Sequence, residues 1–100
     1  MDKHKPHNEL EDIKNVFCKV ESIRMTHVSI TSMKELGLKK YDVLSVIQGL
    51  NGKDFYKSMT SYSNYKVWHD VYHAKHMGLR LYLKFTVDEY GYFLISFKAR

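Results

Sequence analysis

The sequence predicts an α+β domain, with three short helices packed on one face of an antiparallel sheet of about four strands. Two observations carry this prediction. In the first half, apolar residues recur at helical spacing, as in Leu10, Ile13, Phe17 and Val20. After residue 78 they fall on every second position instead. Leu79, Leu81, Leu83, Phe85 and Val87 alternate with Arg80, Tyr82, Lys84 and Thr86, the pattern of a strand with one buried and one wet face.

In chain order, a polar arm leads to Pro6-His7-Asn8 and the first helix. Asn8 is the expected cap, with Glu11 as its capping-box partner. Glu9, Glu11 and Asp12 sit favourably at the positive end of the helix dipole. Cys18 lies in the apolar pattern of this helix and is expected as a packed thiol. Residues 23–25 form a short extended link. Thr26 then caps a second helix carrying Val28, Ile30, Met33 and Leu36, which Gly37 stops in the left-handed conformation; Val28 and Ile30 also fit a strand. A third helix runs from about Lys40 through Val43, Leu44 and Ile47 to Gly49, followed by the turn Asn51-Gly52.

Residues 55–60 and 67–73 are rich in β-formers and are expected as two strands. Asp88-Glu89-Tyr90-Gly91 is the hairpin loop after the alternating strand. The returning strand is expected to place Phe93, Ile95 and Phe97 on one face and Tyr92, Leu94, Ser96 and Lys98 on the other. Trp68, the one tryptophan, is expected in the core, where a large ring anchors a small domain.

One hundred residues suit one domain, 1–100, with one modest core that buries roughly two-thirds of the unfolded surface. A single cysteine excludes an internal disulfide framework and fits a reducing cytosol, so a cytoplasmic protein is expected. No apolar run reaches the length of roughly 20 residues that a membrane span needs, and the polar N-terminus is unlike a signal peptide. The net charge of +5 is uneven. Residues 1–50 carry eight Lys/Arg against seven Asp/Glu, whereas residues 51–100 carry eight against four, with seven of the eight tyrosines. A basic, aromatic half points to a polyanion-facing surface.

The stretch from Asp54 to Tyr72 sharpens that expectation. It interleaves Tyr56, Tyr62, Tyr65, Trp68 and Tyr72 with Lys57, Lys66 and His69, supplying stacking surfaces and cationic donors for single-stranded RNA. If the apolar residues of the last two strands face the helices, Arg80, Tyr82, Lys84 and Lys98 point into the open face. Lys57 and His69 can join them from the earlier strands.

A site of Lys57, His69, Tyr82 and Lys98 suits cleavage of RNA by its own 2′-hydroxyl. That reaction needs a base, positive donors for the phosphorane charge, and an acid for the 5′-oxygen. His69 alone of the four titrates near neutrality when unperturbed, and is expected to act as base or acid. Lys57 and Lys98 would hold the phosphate charge and Tyr82 would donate a hydrogen bond. Tyr56 and Met59 would hold bases, with Arg80 and Lys84 as further RNA contacts. His69, His73 and His76 raise the question of a metal, but on a strand only the first two share a face. No cysteine or carboxylate at zinc-like spacing completes a set, so neither a metal site nor a small-molecule cofactor is expected.

The same residues resemble a known family. Glu35-Leu36-Gly37-Leu38, Val46-Ile47 with Gly49-Leu50, Asp54-Phe55-Tyr56-Lys57-Ser58-Met59-Thr60, Asp70-Val71-Tyr72 and Ser96-Phe97-Lys98 are similar to the pattern of the MqsR toxins. Pro6-His7, Tyr62-Ser63, Trp68, Tyr82-Leu83-Lys84 and Thr86-Val87 extend the likeness along nearly the whole chain. The resemblance implies a RelE-like fold and ribosome-independent cleavage of messenger RNA at short GC-containing sequences. It also implies a protein partner, an MqsA-like, zinc-containing, DNA-binding antitoxin. Position by position it places catalytic groups at Lys57, Tyr82 and Lys98, RNA contacts at Tyr56 and Met59, and an activity-linked residue at His7. At position 69 the chain departs from it, since glutamine stands there in a known member; His69 adds an acid–base group. The competing expectation is a non-catalytic RNA- or DNA-binding module that uses the same face.

Overall fold

The computed structural model describes residues 2–100. It contains helices α1 (Leu10–Val16), α2 (His27–Glu35) and α3 (Lys40–Gln48), then strands β2 (Phe55–Thr60), β3 (Trp68–His76), β4 (Leu79–Asp88) and β5 (Gly91–Ala99). A short strand β1 (Asp2–Lys3) precedes them all. The sheet is antiparallel throughout, in the order β1-β2-β3-β4-β5. It therefore has five strands where about four are expected. The extra one comes from the polar arm, whose Asp2 and Lys3 pair with Met59 and Ser58. So short a strand carries no apolar alternation, only backbone hydrogen bonds along the exposed side of β2.

The helices cover one face. Ile13 and Phe17 from the first helical segment, Met33 from α2, and Val43, Val46 and Ile47 from α3 pack against Tyr72, Leu81, Leu83, Phe85, Leu94 and Phe97 of the sheet. Thr26 caps α2 as expected, accepting the Ser29 N–H at 3.2 Å. Gly37 takes φ +75° at its end, where a side chain would be strained. Among the described residues no helix is long and apolar enough to cross a membrane.

Several local expectations are corrected. Asn8 does not cap α1. Glu9 holds that position without a side-chain bond, and Asn8 turns to Asp70 of β3 instead. The helix ends at Val16, so Val20 lies in a 3₁₀ turn and Cys18 is exposed. Phe17, on the buried side, takes the core position. Val28 and Val87 are exposed. Trp68 is only half-buried and lies outside the core cluster, beneath the N-terminal arm.

The alternation in β5 breaks at one point. Phe85 pairs with Leu94 but Lys84 with Ser96, leaving Ile95 as the extra residue of a bulge. Leu94 and Phe97, three apart, thus both face the core, whereas Phe93 and Ile95 are half-buried. The bulge lies beside the place where the chain ahead of α2 joins the far edge of β5. Met25 bridges Leu94 in parallel, with Thr26 N–H to Leu94 O at 3.1 Å and Leu94 N–H to Arg24 O at 2.9 Å. Both outer edges of the long strands are thereby occupied.

Candidate RNA-binding face

Because Leu81, Leu83 and Phe85 face the helices, their β4 neighbours Arg80, Tyr82 and Lys84 face the open side. Register carries this parity across the sheet, since paired residues share a face. Lys57 pairs with Val71, which pairs with Lys84, which pairs with Ser96. The next row is His73, Tyr82 and Lys98. On the other side of the lysine row lie Met59 and His69. Val71, fully buried in this open face, forms an apolar floor under the stems of Lys57 and Lys84.

Tyr82 is the hub. The Lys98 ammonium stands 5.0 Å from its ring centroid and that of Lys84 6.0 Å, while His73 lies 6.0 Å away on the third side. Tyr56 stacks on His73 at 4.3 Å, with planes 20° apart. It can do so because β2 bulges there. Phe55 pairs with Tyr72 and Lys57 with Val71, leaving Tyr56 as the extra residue, re-aimed out of strict alternation. Lys57 stands 5.6 Å from the Tyr56 ring and 3.4 Å from Asp2 of β1.

The electrostatics follow from this crowding. Burial, then the nearby Lys98 and Lys57, lowers the pKa of Lys84. Burial raises that of Tyr82, although Lys57 opposes it, so the phenol stays protonated at neutral pH and serves as a donor. His69 is lowered first by burial and then by Lys84, with Asp70 opposing. His73 is lowered by burial and by Arg100. Both imidazoles are therefore neutral around pH 7, held so beside a group of ammonium ions.

Of the residues singled out from sequence, Lys57, Tyr56, Tyr82, Lys84 and Lys98 come together. His69 and Met59 flank them across the lysine row, and Arg80 stands two residues beyond Tyr82, exposed and paired with Lys75. His7 stands elsewhere, stacked on Trp68 at 5.4 Å with Lys3 4.2 Å from the same indole. Its backbone is held by Asp70, whose buried carboxylate accepts from His7 N–H, Asn8 N–H, Asn8 Nδ2 and Ser58 Oγ. Sequence reasoning missed His73 at the centre of the face. Its parity with His69 on β3 was the available signal. His76 turns the other way and meets Asp42 of α3 at 3.0 Å. No group of three His, Cys, Asp or Glu able to hold a metal ion gathers among the described residues.

Fold and face together define a small α+β domain whose open sheet surface is built of lysines and aromatic rings, suited to a polyanion. Residues 5–99 match the family described as motility quorum-sensing regulator, toxin of MqsA. The chain is 37% identical over 100 residues to the mRNA interferase toxin MqsR of Escherichia coli (strain K12), covering 100% of both chains. It belongs to the MqsR toxin family.

Proposed function

We propose that this toxin is an endoribonuclease that cleaves single-stranded messenger RNA through attack of the RNA's own 2′-hydroxyl, and that an MqsA-type antitoxin neutralises it. The observation that carries the proposal is the convergence of Lys57, Lys84 and Lys98 around the Tyr82 phenol on an uncovered sheet face. Three ammonium groups supply the positive charge that a phosphorane demands, and those of the half-buried Lys57 and Lys84 are worth more there than in water. Tyr82 donates to a nonbridging or leaving oxygen. His69, neutral beside Lys84, accepts the 2′-hydroxyl proton. Tyr56 offers ring surface to a base. A preference for short GC-containing sequences and independence from the ribosome, which the family resemblance implies, belong to the same proposal.

Since side chains provide the charge, cleavage is expected to proceed in excess chelator. The fragments should end in 2′,3′-cyclic phosphate and 5′-hydroxyl. Mapping those ends on a long RNA, with Lys57→Ala alongside, tests the mechanism. RNA left intact by folded protein would favour a binding module instead, and activity lost on chelation alone would count against the lysine mechanism. The base is tested by pH profile. If the acid limb persists in His69→Gln and vanishes in His73→Gln, the role passes to His73, whose ring is nearer to Tyr82.

A further inference from the structure

Beside the lysine cluster, the surface opens into a cavity of about 370 Å³. Tyr56 and His73 form the wall it shares with the cluster, and Lys53, Lys75 and Arg100 bring three positive charges to its rim. Its one acidic side chain, Asp54, is already engaged, accepting the Asn51 N–H at 2.9 Å in the cap of the 3₁₀ turn that leads into β2. Arg100 is tethered rather than loose, its N–H bonded to Arg80 O at 3.0 Å. Arg80 also pairs with Lys75, so a fourth cation borders the same end of the sheet. Lys53, Lys75 and Arg100 have no part in the chemistry at Tyr82.

We propose that this cavity is a second nucleotide subsite, in which the residue adjoining the cleaved position sets its base against Tyr56 and its phosphate among Lys75, Arg100 and Lys53. The inference rests on the ribonuclease reading and extends it by one nucleotide. The volume falls within the range of small-ligand pockets. Tyr56, half exposed, presents the ring a base stacks on, and the three cations match one phosphate of a strand passing outward. Lys75 lies two residues beyond His73 along β3, a step of roughly 7 Å and of the order of one nucleotide in an extended strand. The cavity is continuous with the cluster through Tyr56 and His73, so the strand need not leave the surface between the two.

The test uses RNA oligonucleotides with one cleavage position, shortened one nucleotide at a time from either end. Wild type is compared with the double variant Lys75→Ala/Arg100→Ala, both sites being exposed and neither side chain part of the core. On the longest substrate the variant should lose about tenfold in kcat/KM, carried by KM, as expected for losing hydrogen bonds to a charged phosphate. Removing the nucleotide on one side only should shrink that deficit below about twofold, because the contact the cations served is gone. An equal deficit at every length, or none on the longest, overturns the subsite. In parallel, salt dependence is measured for binding of an analogue with 2′-deoxyribose at the cleaved position. The slope of log affinity against log salt should be shallower in the variant by about 0.7, one phosphate's share on a single strand; an unchanged slope also overturns it. Should wild type cleave no RNA, the ribonuclease reading fails, and the salt slope alone still decides whether the cavity holds a phosphate.

Discussion

Replacing Asp70 tests how the N-terminal arm is fastened to the sheet. Its carboxylate, buried on the helix side of β3, accepts from Ser58 Oγ at 2.6 Å, Asn8 N–H at 2.8 Å, His7 N–H at 2.9 Å and Asn8 Nδ2 at 3.2 Å. These neutral donors replace the water that the charge has lost. Asp70→Ala removes the acceptor common to all four and strands two backbone N–H groups and a hydroxyl, each worth about 1–3 kcal/mol when left unpaired and buried. The arm can swing outward and rehydrate its own two N–H groups, so the sum is not additive. A loss of about 3–5 kcal/mol is expected, the scale for removing one partner from a buried charged network. That is a large share of a stability of about 5–15 kcal/mol. Ser58→Ala, which leaves three donors on the carboxylate, should cost about 1–2 kcal/mol. The measurement is urea unfolding followed by fluorescence of Trp68, which lies under His7 and so reports on the arm directly. An Asp70→Ala cost below about 1 kcal/mol, or one no larger than that of Ser58→Ala, would refute the reasoning.

Three further outcomes are expected. Lys98→Ala should lower kcat by about 10²–10³, the scale for deleting one transition-state charge donor, with KM changed far less; single-turnover kinetics on a short RNA separate the two. Burial and Lys84 hold the His69 imidazole below its ordinary range, so Lys84→Gln removes a positive neighbour and should raise its pKa. NMR titration of the ring reads this shift, and any acid limb of the rate that depends on neutral His69 should move to higher pH with it. Finally, the buried Tyr72 hydroxyl finds no hydrogen-bond partner among the described residues, and burial raises its pKa well above the usual phenol range. Tyr72→Phe should therefore be neutral or stabilising by about 1 kcal/mol in thermal unfolding; a clear loss of stability would show that the hydroxyl has a partner.

The parts of the fold legible in the sequence are those where one local force acts alone. In β4, burial of one face writes itself as Leu81, Leu83 and Phe85, and the observed strand follows that pattern. The Thr26 cap and the Gly37 stop are similarly local. Errors gather where two forces compete. Asn8 is a good cap residue by type, but a buried carboxylate 62 positions away outbids the end of α1 for its hydrogen bonds. Trp68 is large enough to anchor a core, yet it starts its strand at the edge of the helical layer, and His7 and Lys3 cover it.

The site shows the same division. Parity in β4 and β5 puts Tyr82, Lys84 and Lys98 on the open face correctly, and Lys57 joins them from β2 as expected. The two bulges are invisible to a period of two. One turns Tyr56 onto His73, and the other returns Leu94 to the core while Ser96 and Lys98 remain on the open side. A bulge changes register by a single residue, and no residue type at Tyr56 or Ile95 announces it. His73 stayed hidden for that reason, since its importance comes from the ring that the bulge lays across it.

What the two faces do for each other explains why such a site is tolerated. Lys57, Lys84 and Lys98 repel one another, and the pKa of Lys84 is lowered first by burial and then by the charges of Lys98 and Lys57. Asp2, at 3.4 Å from Lys57 and largely exposed, offsets little of it. The helix-covered face supplies the compensating stability through a continuous apolar cluster, while Val71 holds the lysine stems on a dry floor without neutralising their charge. Under the proposed mechanism, a phosphodiester laid across Tyr82 would meet all three ammonium groups at once and would gain more as negative charge builds during attack. An arrangement that is unfavourable alone and relieved by extra negative charge binds the transition state better than the ground state. On the proposed mechanism, that difference is what separates the cluster from a surface for passive binding.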